Sequence, residues 1–265
     1  MRRLASTMTA VAALLTLVGE TGSAAAAVQT RTVTWEQGGV TCEGYLAWDD
    51  ARTGPRPGVL VVHQWMGLTE NERMRARMLA ELGYVALACD VYGQGVRPAD
   101  AAAAAKEAGK YHADRPLLRA RVAAGLDTLK KQPGVDPARC AAIGYCFGGG
   151  AALELARSGA DLRGVVSFHG SLDTPLPAQK GQVKARLLVC HGAADPFVKP
   201  EAVRGFIDEM EAAGVDYELV MYAGAVHAFT QKEAGNDPAR GAAYQEKADR
   251  RSWEAMKGFL AEVLR

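Results

Sequence analysis

Short apolar runs alternate with longer amphipathic ones through most of this 265-residue chain. Residues 31–36 and 40–48 alternate apolar and polar positions around Gln37-Gly38-Gly39, which predicts a β-hairpin. The run from Val59 to His63 is continuously apolar until its last residue, the pattern of a strand buried on both faces. Thr69 and Glu72 then form a capping box, and Met74, Met78, Leu79 and Leu82 supply one apolar helix face that Gly83 closes. Further strands are expected over 84–89, 141–145, 164–168, 186–190 and 217–222. Helices are expected over 98–110, 114–131 and 200–213, after Gly150, and around Trp253, Met256, Phe259 and Leu260. In the helix that Asp114 caps, Leu117, Leu118, Val122, Leu126 and Leu129 should face inward. Strands alternating with helices at this spacing predict an α/β fold with a mostly parallel sheet, helices on both faces and the hairpin at its N-terminal end.

The first residues break this rhythm. Arg2 and Arg3 are followed by an apolar run from Ala10 to Val18 and by small residues from Gly22 to Ala27. That order is expected of a signal peptide over 1–27, cleaved after Ala27, leaving a single domain over 28–265 in the periplasm or outside the cell. The apolar run is too short to span a bilayer, so no membrane association is expected after cleavage. Charge is balanced, with 31 basic and 30 acidic residues, which argues against a nucleic-acid partner. Of the five cysteines, Cys42, Cys89, Cys140 and Cys190 lie within or at the ends of apolar strands, where a small buried hydrophobe or a disulfide would fit. Only Cys146 is framed by glycines.

The chemistry concentrates at strand ends. Gly144-Tyr145-Cys146-Phe147-Gly148 joins a predicted strand to a predicted helix. It has the Gly-x-Ser-x-Gly nucleophile-elbow pattern with cysteine in the serine position. Asp195 follows the next-but-one strand, and His227 follows the last. Nucleophile, acid, histidine is the chain order of the α/β-hydrolase fold, and a parallel sheet would bring all three to one edge. An ordinary thiol, with a pKa of about 8.5, is mostly protonated at neutral pH, so it needs a base such as His227. Asp195 would orient that imidazole, with Asp90 and Asp173 as alternative acids. The backbone N–H groups of Phe147 and of Trp65 are the expected oxyanion donors. His63, His169 and His191 also end strands, but none has metal-ligand spacing. Neither a metal nor another cofactor is expected. His63 and His169 precede loops that shape the pocket, and His112 is expected to be solvated.

His63-Gln64-Trp65-Met66-Gly67, Asp90-Val91-Tyr92, the Cys146 elbow, Asp195-Pro196-Phe197-Val198 and Gly224-Ala225-Val226-His227-Ala228-Phe229 together resemble the dienelactone hydrolase family. The resemblance covers about Val59 to Phe229. It implies an α/β-hydrolase with a Cys-His-Asp triad that opens lactones and cleaves esters, carried here by Cys146, His227 and Asp195, with Trp65 and Phe147 as oxyanion donors. Well-known members have a glutamate where this chain has Gln64, and two substrate-gripping arginines whose matching positions are Gln94 and Gln231. Arg97 is close enough in sequence to Gln94 to stand in for one of them. Losing two guanidiniums removes bidentate carboxylate recognition, which points to a neutral or differently charged small-molecule ester or lactone. Trp65, Tyr92, Tyr145, Phe197 and Phe229 would rim the pocket, so Gln64, Tyr92, Gln94, Phe229 and Gln231 are the expected substrate contacts. Two other functions fit the same residues: a non-enzymatic small-ligand-binding protein, to which Gln64 lends support, and a redox-active thiol protein.

Overall fold

The computed structural model describes residues 28–265, so the expected signal peptide lies outside the described residues. One eight-stranded sheet runs through the molecule in the order β1-β2-β4-β3-β5-β6-β7-β8. The hairpin of β1 (Val28–Gln37) and β2 (Val40–Asp49) turns at Gly38 and Gly39, both at positive φ, and pairs antiparallel with the rest through β4 (Val85–Cys89). β3 (Arg56–Val62), β4, β5 (Val135–Tyr145), β6 (Gly164–Phe168), β7 (Arg186–Gly192) and β8 (Tyr217–Tyr222) are all parallel. β5 extends farther back than the apolar run predicts, because Val135 and Asp136 also pair with β3 across a register shift.

Helices cover both faces, each with its own apolar layer. On one face, α1 (Glu70–Glu81) and α6 (Glu246–Val263) pack Ala76, Leu79, Met256, Phe259 and Leu260 against Val59, Val61, Ile143 and Val166. On the other, α2 (Ala101–Ala113), α3 (Arg115–Lys130), α4 (Phe147–Arg157) and α5 (Pro200–Ala213) pack Tyr111, Leu118, Val122, Leu153, Phe206 and Met210 against Leu60, Val62, Leu87 and Val165. The capping box of Thr69 and Glu72 forms as expected. The face of α1 does not: Met74 and Leu82 are exposed, while Glu72 and Arg75 are buried. Both charged residues find partners inside, Glu72 at its own helix start and Arg75 at Asp249 and the Thr230 carbonyl. A satisfied polar group is thus buried in place of an apolar one. In α3, Leu117 is only half-buried; the other four expected leucines and valines are buried.

From β3 the chain steps outward to β4, then returns to β5 on the opposite side. Ligands of open α/β sheets bind beyond strand C-termini at such a reversal. Here that crevice opens between the loop after β3 and the turn after β5.

Candidate active site

Between β5 and α4 a single residue, Cys146, makes the whole turn, at φ +54°. Only close backbone approach permits this, and glycine supplies it. A Cβ on Gly144 would stand 1.9 Å from the Gly148 carbonyl oxygen, and one on Gly148 would stand 2.2 Å from that of Val62. The Cys146 N–H donates to the Phe168 carbonyl at 3.0 Å and faces His169 Nδ1 at 3.1 Å. Cys146 is partly exposed, whereas the other four cysteines are buried; all five are free thiols.

Asp195 and His227 reach Cys146 from the loops after β7 and β8. His227 Nε2 lies 3.0 Å from Cys146 Sγ, and His227 Nδ1 lies 2.8 Å from Asp195 Oδ2. Asp195 is itself held, because its Oδ1 accepts the Phe197 N–H at 2.9 Å. The His227 backbone is clamped to the neighbouring loop: its N–H donates to Gly241 and its carbonyl accepts from Ala243. Burial pushes the His227 imidazole down, but the adjacent Cys146 thiolate and Asp195 carboxylate more than offset this and raise it to about 10. His227 is therefore protonated at neutral pH, with its Nε2 directed at Cys146 Sγ.

The loop after β3 is fixed by the residue that ends the strand. Fully buried His63 accepts the Val91 N–H at Nε2 (3.0 Å), so its proton sits on Nδ1 and donates to the Gln64 carbonyl at 2.6 Å. Burial lowers the His63 pKa to about 4, which keeps that tautomer neutral. The Tyr92 hydroxyl donates to the Trp65 carbonyl at 3.0 Å. The Gln64 carbonyl also accepts the Gly67 N–H at 3.1 Å, which closes the loop as a turn. Neither the Trp65 nor the Phe147 N–H has an acceptor among the described residues. Phe147 begins α4, so its N–H also carries the positive end of the helix dipole.

A cavity of about 500 Å³ opens above Cys146 and His227, walled by Gln64, Trp65, Met66, Phe197 and the segment from Ala228 to Ala242, including Gln231, Glu233 and Arg240. A second concavity of about 510 Å³, between β8 and α6, contains none of the residues singled out from the sequence. The cavity thus gathers Cys146, His227, Gln64, Trp65 and Gln231. It does not gather the other expected contacts. Tyr92 is buried beneath the β3 loop, Phe229 is fully buried in the core, and Gln94 points to Glu43 on the surface. Tyr145 is likewise core, stacked on Phe168. Arg97 is already engaged with Glu43, the Leu68 carbonyl and Asp90. Asp90 holds the Tyr92 and Gly93 N–H groups, and Asp173 is exposed, which leaves Asp195 alone beside His227. His112 is exposed, as expected, with its ring edge-on to Phe147.

A profile of the dienelactone hydrolase family matches residues 42–264. The chain belongs to the dienelactone hydrolase family. It is accordingly an ester- or lactone-cleaving hydrolase, and the non-enzymatic reading falls away. A solved structure described as a dienelactone hydrolase-like promiscuous phosphotriesterase from metagenomic libraries is 41% identical, with a TM-score of 0.84 over 90% of this chain and 100% of that one. A Bradyrhizobium protein provisionally named a 2-oxo-3-(5-oxofuran-2-ylidene)propanoate lactonase is 31% identical over 77% of this chain and 86% of its own. A Saccharolobus solfataricus protein provisionally named a carboxymethylenebutenolidase is 27% identical over 88% and 98%.

Within this dienelactone hydrolase family chain, two of the departures face the cavity and one does not. Gln64 and Gln231 are on the wall, and the buried Gln231 Nε2 has no partner among the described residues. Sequence reasoning missed Arg240 and Glu233, since nothing in the polar run 232–240 marks which side chains turn inward. It gave His169 only an unspecified supporting role at the pocket, with its strand-end position as the only signal.

Proposed function

We propose that the protein hydrolyses uncharged carboxylic esters or lactones through a thioester on Cys146. The observation that carries this reading is the unbroken line from Cys146 Sγ to His227 Nε2 (3.0 Å) and from His227 Nδ1 to Asp195 Oδ2 (2.8 Å). The thiolate attacks the substrate carbonyl, and the oxyanion forms against the Trp65 and Phe147 N–H groups. The C–O bond breaks as His227 gives its proton to the leaving oxygen, and an acyl-enzyme remains. Once the thiolate charge is gone, His227 is neutral and takes a proton from water. That water attacks the thioester, the acid departs and the thiolate returns with its imidazolium. In a lactone the leaving alcohol stays tethered to the acid, and the proton transfers are the same.

The preference for an uncharged substrate rests on the wall. Gln64 and Gln231 are neutral amides, Arg97 is already paired, and the two charged wall residues, Glu233 and Arg240, are exposed and of opposite sign. Trp65 and the 64%-exposed Phe197 offer apolar flanks for an aryl or alkyl group. The test compares wild type and Cys146→Ala on p-nitrophenyl acetate, and wild type on neutral aryl esters against carboxylate-bearing lactones. Turnover abolished by the substitution and a preference for neutral esters are expected. Equal turnover by the variant overturns the nucleophile, and a strong preference for the anionic lactone overturns the substrate class.

The basic start, apolar run and small residues before Val28 support export with cleavage after Ala27. Intact-mass measurement of the mature protein should give a chain beginning at Val28; a retained leader overturns that part.

A further inference from the structure

His169 is not one of the three residues in the catalytic line, yet it is built into the site as tightly as His63. It is fully buried and sits at φ +40°, a left-handed conformation that a non-glycine residue adopts at a cost. Three non-glycine residues among those described have positive φ: Cys146, His169 and Ala228. All three converge on the catalytic line. The His169 ring stands against His227, with centroids 5.2 Å apart, and against Phe229 at 5.0 Å.

Both ring nitrogens are committed. Nδ1 faces the backbone N–H of Cys146 at 3.1 Å, and Nε2 lies 2.8 Å from the Thr230 hydroxyl. A backbone N–H can only donate, so Nδ1 is the acceptor and the proton is on Nε2, directed at Thr230 Oγ1. Thr230 is three residues beyond His227, and its carbonyl accepts from Arg75, which pairs with Asp249. A single neutral imidazole thus ties the nucleophile's own peptide to the loop that carries the base. An imidazolium there would set N–H against N–H. Burial keeps the ring neutral, and the nearby His227 and Arg75 cations act in the same direction.

We infer that His169 is a positioning residue, which sets the distance between Cys146 Sγ and His227 Nε2 by bridging the Cys146 N–H to Thr230. This rests on Cys146 being the nucleophile. A role confined to filling the core would need the ring but not its nitrogens, and that difference is measurable. His169→Phe keeps a ring and removes both nitrogens; His169→Asn keeps an acceptor and tolerates positive φ; Thr230→Val removes the far end of the bridge.

In His169→Phe, kcat on p-nitrophenyl acetate should fall by about tenfold or more with KM changed by less than about threefold, as expected of lost alignment rather than lost binding. The pH midpoint for alkylation of Cys146 by iodoacetamide should rise, because the thiolate loses its aligned imidazolium. His169→Asn should return kcat to within about threefold of wild type, and Thr230→Val should shift both readouts in the direction of His169→Phe by a smaller amount. Wild-type kcat and alkylation profile in His169→Phe overturn the inference, as does a kcat loss that leaves the alkylation profile unmoved. If His169→Phe does not accumulate as folded protein, Thr230→Val decides on the same two readouts. Turnover surviving Cys146→Ala would instead overturn the nucleophile and this inference together.

Discussion

The floor and the wall of the cavity are built by opposite means. The floor is made of strand ends: Cys146 directly after β5, His63 after β3, His169 after β6. His63 and His169 are fully buried with both ring nitrogens hydrogen-bonded, and Cys146 and His169 sit at positive φ. The wall from Ala228 to Ala242 is loop and 3-10 turn, with Glu233 and Arg240 exposed and Gln231 without a partner for its amide nitrogen. Reaction chemistry needs sub-ångström alignment and is placed on the rigid part. Substrate selection tolerates variation and is placed on the part that can change without disturbing the sheet.

That contrast is broken most directly from the floor. His227→Ala should lower kcat by about 10²- to 10⁴-fold, the usual contribution of a general acid–base group, with the fold intact by circular dichroism. The pH dependence is the next largest effect. Since His227 is raised to about 10, the imidazolium proposed to protonate the leaving group is present below that pH and lost above it. kcat/KM should therefore fall by about tenfold per unit on the alkaline side. In Cys146→Ala the thiolate that raises His227 is gone while burial remains, so NMR titration should find its pKa lowered from that of wild type. The stability that protonated His227 contributes is complete below its ordinary value of 6.5 and is lost as pH rises through about 10.

Tyr92→Phe probes the join between the two regions, since the hydroxyl holds the Trp65 carbonyl. The loss of one hydrogen bond of about 1 kcal/mol predicts a kcat some fivefold lower, with KM little changed. At the small end, Arg240→Ala should alter kcat/KM for a neutral aryl ester by less than about threefold, because an exposed charge at the rim is strongly screened. A tenfold loss there would mean that the wall takes part in catalysis, and the contrast would need redrawing.

The floor was legible in the sequence because strand ends are. Cys146, Asp195 and His227 each follow an apolar run, and a parallel sheet leaves few ways to arrange them. The wall was not. Gln94 and Gln231 were both read as substrate contacts, yet one turns to Glu43 and the other into the cavity, and no periodicity governs a loop's facing direction. Phe229 and Tyr145 were both read as pocket residues, yet they are fully buried, against His169 and Phe168, in the core. On α1, Met74 and Leu82 fit the apolar stripe but are exposed, because buried Arg75 satisfies Thr230 and Asp249 from the inner face. Long-range polar partners of this kind leave no local pattern.

The positive φ of Ala228 has a use for anyone who wants a hardier enzyme. Of the three residues held in that conformation, Cys146 and His169 have side chains with proposed roles in the reaction, but Ala228 contributes a single methyl to the cavity. Glycine would adopt the same backbone without strain, at the entropic expense of a looser unfolded chain, and the balance at a left-handed position favours glycine by about 1 kcal/mol. Ala228→Gly is thus a place beside the chemistry where thermal tolerance can rise while the reacting groups keep their atoms.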